Sequence, residues 1–171
     1  MKIISNTGPI IGLARIVLLF LLNQIASEVL IPPMVHRELM GKAGSETAQI
    51  DKTLGDFLKV ADLKPLTPAV EKAISALDEG EREVIGLAST TSGHVLTLMD
   101  DRAGREAAAK LNIPVSGLVG ILLFAKEKGI VKKSDRSFWS CEIKDIGFLT
   151  KWYRQLRFLL EKHDILEHPT L

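Results

Sequence analysis

Residues Leu96–Leu111 read LTLMDDRAGREAAAKL. With His94 and Val95 ahead of it, the apolar run HVLTLM has the length and composition of a buried strand. Two adjacent aspartates, Asp100 and Asp101, close it. An alanine-rich run, Arg102–Leu111, then reads as a helix. Two carboxylates therefore stand where a buried strand hands over to a helix.

Working outward, the same alternation repeats. On the C-terminal side, IPVSG reads as a strand. Leu118–Lys128 follows as a helix with Leu118, Ile121, Leu122 and Ala125 on one face. On the N-terminal side, Pro68–Leu77 and Glu79–Thr91 read as helices and KVADL as a weak strand or loop. Ser45–Leu58 reads as a helix. EVLIP is a strand, and Pro32 and Pro33 suit the first turn of the helix PMVHRELMG, which Gly41 ends. Lys2–Ser5 is the first strand, and NTGP turns it into an apolar helical region. Ser134–Asp164 reads as two more helices. Strands alternating with helices imply an α/β fold: a central, mostly parallel sheet with helices on both faces.

The chain has 171 residues, enough for one domain with a sizeable core. Its formal net charge is +1, so no global basic field announces nucleic acid, and any basic patch is local. One cysteine, Cys141, excludes an intramolecular disulfide and fits a reducing, cytoplasmic compartment. His36, His94, His163 and His168 show neither zinc-finger nor HExxH spacing. The apolar stretch PIIGLARIVLLFLLNQI contains Arg15, is shorter than the roughly 20 apolar residues of a membrane span, and lacks a cleavage site. It reads as one buried helix or two short ones, with no membrane role.

In a parallel sheet the carboxyl ends of the strands collect functional groups. Asn6 stands just past the first strand and Asp100 and Asp101 past a later one. Glu38 lies on the helix after the second strand, and Glu81 opens the helix before the aspartate pair. Convergence of these groups on one cleft would set like charges together, which a hard divalent cation such as Mg²⁺ or Mn²⁺ neutralises. Such a cation can lower the pKa of bound water and clamp a phosphodiester. Each residue also has a purely structural reading. Asp100 or Asp101 can cap its helix. Asp101 and Arg105 can form a surface ion pair. Asp78–Glu81, DEGE, has the pattern of a capping box. Glu38 can belong to a solvated face, and Asn6 can make a turn.

Taken together, the pieces IISNTGPIIGLARI, VLIPPMVHREL, LDEGEREVIGLAS, VLTLMDDRAGREAAAKL and VSGLVGILLFAKEKGIV resemble a PIN domain. That is the nuclease fold of VapC-type toxins and related RNA-processing enzymes. More closely, the chain resembles a branch of small prokaryotic PIN-like proteins described mainly as nucleic-acid-binding. The pieces keep the family order to about Val131. The resemblance implies a three-layer α/β/α domain over residues 1–133, with residues 134–171 a helical extension packed on it. It places the first-strand acidic position on Asn6, the second on Glu38, the third on Glu81 and the strand-end pair on Asp100 and Asp101. Thr7 falls on the small hydroxyl residue beside the first position, where the resemblance implies contact with nucleic acid. By this resemblance Glu38, Glu81, Asp100 and Asp101 would hold Mg²⁺ or Mn²⁺ for hydrolysis of RNA. A homodimer and a cognate antitoxin would be the partners.

One position departs from the family. Asn6 stands where family members carry aspartate. An amide oxygen ligates a cation without contributing charge, so metal affinity and activity should be weakened. The alternative is a non-catalytic PIN-like module that binds nucleic acid or a protein. Arg102 and Arg105, beside the aspartate pair, could hold a nucleic-acid backbone. Arg15, Lys126, Lys128, Lys132 and Lys133 are more distant cations. Aromatics are too few for base-stacking platforms. Those of the tail, such as Phe138, Trp139 and Trp152, suit packing or a subunit contact. A phosphoacceptor receiver carries its acidic pair after the first strand, not past mid-chain, and no GxGxxG or GxxxxGK[ST] fingerprint occurs.

Overall fold

The first strand, β1 (Lys2–Ser5), buries Ile3, Ile4 and Ser5 completely. Burial on both faces is what a parallel sheet covered by helices requires. The computed structural model describes residues 1–41, 44 and 46–130. After β1 come α1 (Thr7–Arg15), α2 (Phe20–Ile25), β2 (Glu28–Ile31), α3 (Pro33–Gly41), α4 (Thr47–Thr53) and β3 (Leu58–Val60). Then follow α5 (Pro68–Ile74), α6 (Glu79–Thr90), β4 (Val95–Leu98), α7 (Arg102–Lys110), β5 (Val115–Ser116) and α8 (Leu118–Glu127).

The strands form one parallel sheet in the order β3-β2-β1-β4-β5, flanked by helices. Ile4 pairs with Leu30 on one side and Thr97 on the other, and Ser5 pairs with Leu98. Ile3, Ile4, Ile31 and Leu98 have no exposed surface. Truncating any of them to alanine should cost about 2–5 kcal/mol. The chain runs from β1 outward to β2 and β3, then returns to build β4 and β5 on the other side. The strand order thus reverses between β1 and β4. Ligands of open α/β sheets bind outside the carboxyl ends at such a reversal. The residues leaving these two strands are Asn6 on one and Met99–Asp101 on the other. The ladder continues past the strands: Asn6 N donates to Leu98 O at 2.9 Å, and Met99 N to Ser116 O at 2.8 Å.

The chain divides after Leu118 into two compact units, and the sheet belongs wholly to the first. In the second, α8 ends in a Schellman motif. Gly129 takes φ +69°, and Ile130 N donates to Ala125 O at 2.9 Å. The expected boundary at residues 133/134 lies outside the described residues. So do the tail helices over Ser134–Asp164 with their aromatics, Lys132, Lys133 and Cys141.

One element differs from the sequence reading, and two readings left open are decided. The helix expected over Ser45–Leu58 stops at Thr53, because Gly55 adopts φ +83° and Leu58 already belongs to β3. The segment KVADL therefore supplies the end of an edge strand. The apolar N-terminal region resolves into two short helices, broken where Val17 takes φ +59°, a left-handed conformation a β-branched residue adopts only under strain. Among the described residues no helix is long and apolar enough to cross a membrane.

Candidate functional site

Asn6 is the N-cap of α1, its Oδ1 accepting from Thr7 N at 2.8 Å. Thr7 is buried, and its hydroxyl donates to Glu38 Oε2. The first loop thereby meets α3. At the start of α3, Pro33 has no N–H to offer, and Met34 N donates to Glu83 Oε2 at 2.7 Å. A carboxylate from α6 thus satisfies an orphan donor of α3 and suits the positive end of its dipole. The same bond ties the helix carrying Glu38 to the helix carrying Glu81.

At the head of α6, Asp78 Oδ1 accepts from Glu81 N at 2.8 Å. The backbone N–H of Asp78 in turn favours the ionised Glu81 carboxyl, the weakest of the influences on it. Glu81 is nonetheless buried, at 5% exposure, and lines the pocket. Asp101 is the N-cap of α7, its Oδ1 accepting from Ala103 N at 2.7 Å and Gly104 N at 3.2 Å. Asp100 Oδ1 accepts from Leu118 N at 2.9 Å. That placement depends on Gly117, where a Cβ would stand 2.5 Å from the same oxygen.

Asn6, Thr7, Glu38, Glu81, Asp100 and Asp101 all line one open pocket of about 300 Å³ at the strand-order reversal. The structural readings of Asp101 and Asp78 as caps hold, and both side chains still face the pocket. Asp78 is the carboxylate that the sequence reading treated only as a cap. Its N-cap position one turn before Glu81 was the available signal. A slightly larger cavity, about 340 Å³, lies among Leu63, Leu66, Ile74 and Gly86. It shares no lining residue with the acidic pocket.

Electrostatics distinguish the carboxylates. Burial above all, then the charges of Asp78 and Asp101, raise Glu81 to about 7. Asp101 is lowered, first by the Gly104 N–H and with further help from Ala103 N–H and the Glu81 carboxyl. Below about pH 7 Glu81 therefore carries a proton, and its carboxyl is hydrogen-bonded to Asp101.

The arginines are placed differently. Arg102 and Arg105 sit on the first turn of α7 but do not line the pocket. Arg102 pairs with Glu106 at 2.8 Å and is largely exposed, while Arg105 is half-buried. Arg15 pairs with Glu46 at 3.1 Å.

Among the described residues, no group of three or more His, Cys, Asp or Glu is gathered in metal-holding geometry. The donor chemistry nevertheless fits a hydrated hard cation. The charged and amide side chains of the pocket offer oxygen, neither imidazole nor thiolate, and Mg²⁺ keeps several of its waters when protein oxygens bind it. The proton held on Glu81 is the counter-charge that a divalent cation would replace.

A family model described as DUF3368: PIN domain matches residues 2–148. The chain belongs to the PIN domain family. This family is generally nuclease-like and typically metal-dependent. No curated protein matches the chain.

Proposed function

We propose that this PIN domain is a Mg²⁺- or Mn²⁺-dependent endoribonuclease whose metal site is weakened at Asn6. The observation that carries the reading is the shared pocket. Oxygen-bearing side chains from the carboxyl ends of β1 and β4, the middle of α3 and the head of α6 face one opening at the sheet's reversal point. In this reading Glu38, Glu81, Asp100 and Asp101 would hold the cation. A bound cation would supply an activated water and a clamp for the scissile phosphate. Thr7 fixes the rotamer of Glu38, and Glu83 fixes the helix beneath it. Arg102 and Arg105 would meet the RNA backbone outside the pocket. A homodimer and a cognate antitoxin, in the cytoplasm, belong to the same proposal.

The alternative is a module that binds nucleic acid or a protein without cutting it. One observation favours it: Asn6 spends its oxygen on the Thr7 N–H and brings no charge.

The test is a calorimetric Mn²⁺ titration beside a cleavage assay on single-stranded RNA, with EDTA as control. The proposal expects saturable Mn²⁺ binding and cleavage that EDTA abolishes. RNA binding with neither Mn²⁺ binding nor cleavage would favour the non-catalytic module.

A further inference from the structure

We propose that the apolar cavity beside α5 and α6 is a nucleobase subsite, taking a base with an exocyclic amino group from the RNA strand that enters the acidic pocket. The inference rests on the RNA reading above.

Adjacency is the first support. Glu81 lines the acidic pocket, and Arg82 and Glu83, the next two residues of α6, line the cavity. Successive residues of a helix point about 100° apart, so the two openings flank one helical turn. A helix with its side chains is about 10–12 Å across. About three stacked nucleotides span that width, and fewer in an extended strand. One strand can therefore reach both openings.

The walls of the cavity are the second support. Its volume is about 340 Å³, and Leu63, Leu66 and Ile74 give it an apolar face against which the flat of a base can lie. Leu66 lies over Gly86, where a Cβ would stand 3.2 Å from Leu66 Cδ1, so the glycine lets the leucine seat closely on α6. Leu63 stands at the cavity with 43% of its surface exposed. Beside this face are the carboxylates of Glu71, in the first turn of α5, and of Glu83. A carboxylate accepts from the amino group of cytosine or adenine, whereas the carbonyl that uracil presents there would set acceptor against acceptor.

Charge is the third support. Lys64 and Arg82 also line the cavity and are exposed. Among the described residues neither side chain has a hydrogen-bond or ion-pair partner, unlike Arg102 on Glu106 or Arg15 on Glu46. Two uncommitted cations beside an apolar face suit the phosphates on either side of a seated base. An apolar peptide side chain would use the face and leave both cations idle.

The experiment measures binding of fluorescein-labelled short homopolymers of cytidylate, adenylate and uridylate to the full chain. Fluorescence anisotropy is read in EDTA over a series of salt concentrations, beside a Mn²⁺ titration of the same protein. The forms compared are wild type, Glu71→Gln, and Lys64→Ala combined with Arg82→Ala, all at exposed positions, with melting temperature as the check on folding. Wild type should prefer the cytidylate and adenylate strands to uridylate by at least about fivefold, the low end for a good base contact. Glu71→Gln should erase most of that preference, because an amide donates to uracil as readily as it accepts from cytosine. The double cation variant should weaken all three strands, and its slope of log affinity against log salt should fall by about 0.7 per cation removed. A strand carrying iodocytidine, irradiated on the wild-type protein, should crosslink within residues 63–86. RNA binding without base preference, or a preference that Glu71→Gln leaves intact, overturns the subsite and leaves the metal-dependent reading to the Mn²⁺ titration. A preference that Glu71→Gln removes, in a protein that takes up no Mn²⁺, supports the subsite and overturns the nuclease reading alone. Absence of RNA binding by the wild-type protein overturns both.

Discussion

The Glu81 carboxyl hydrogen-bonds the Asp101 carboxylate between the heads of α6 and α7. Burial and two negative neighbours raise Glu81 from 4.5 to about 7, so its folded-state pKa exceeds the unfolded one. Its contribution to stability is fully present below pH 4.5 and is lost as pH rises through about 7. Asp101 is shifted downward from 3.8, so its contribution is present above that pH and lost as pH falls below it. Between them the pair favours the metal-free fold in mildly acidic solution. The melting temperature in EDTA should fall from about pH 5.5 to about pH 8, a loss on the order of 2–3 kcal/mol. Glu81→Gln should flatten that fall. A wild-type protein with constant melting temperature over the same range would show that Glu81 does not hold a buried proton.

Asp101 has two separable tasks, capping α7 and facing Glu81. Asn also caps a helix, whereas Ala does not. Asp101→Asn should therefore be more stable than Asp101→Ala by about 1 kcal/mol in metal-free chemical denaturation. Both variants should lose stabilisation by Mn²⁺, since both remove the carboxylate. Equal stability of the two would mean that the bonds to Ala103 N and Gly104 N contribute nothing.

Gly117 makes room for Asp100. A Cβ there would approach Asp100 Oδ1 to 2.5 Å, so Gly117→Ala must push the carboxylate off the Leu118 N–H. The expected cost is about 1–3 kcal/mol, combining steric displacement with a lost charge-assisted bond. Denaturant unfolding reads it directly. A neutral substitution would mean Asp100 has another equally good position.

Much of this was legible in the chain because periodicity and caps agree. The run Val95–Leu98 is apolar throughout, as a doubly covered strand must be, and Asp101 with the alanine-rich segment marks the next helix unambiguously. The strand-end rule then located Asn6, Asp100 and Asp101. Other features lie beyond sequence pattern. Nothing local stops the helix before Leu58 except Gly55, whose left-handed turn emerges only with β3 paired to β2. The bond from Met34 N to Glu83 joins residues 49 apart in sequence and exists only after α3 docks on α6. Asp78 reads fully as a cap, and its place in the lining of the acidic pocket appears only once α1, α3 and α6 are assembled. Arg102 could be read as backbone-facing from its neighbours, yet the i,i+4 spacing to Glu106 gives it a partner on its own helix.

The most direct measurement is RNA cleavage by the Asn6→Asp form, assayed with Mn²⁺ and with EDTA beside wild type and beside Asn6→Asp combined with Asp101→Asn. A carboxylate at position 6 should tighten Mn²⁺ binding and raise cleavage above wild type, with EDTA abolishing it. The added Asp101→Asn change should return cleavage to background, while RNA binding shifts less, because backbone contacts carry no requirement for the metal. An Asn6→Asp protein that is folded, binds RNA and yet neither takes up Mn²⁺ nor cleaves would contradict a metal-dependent nuclease centre in this pocket.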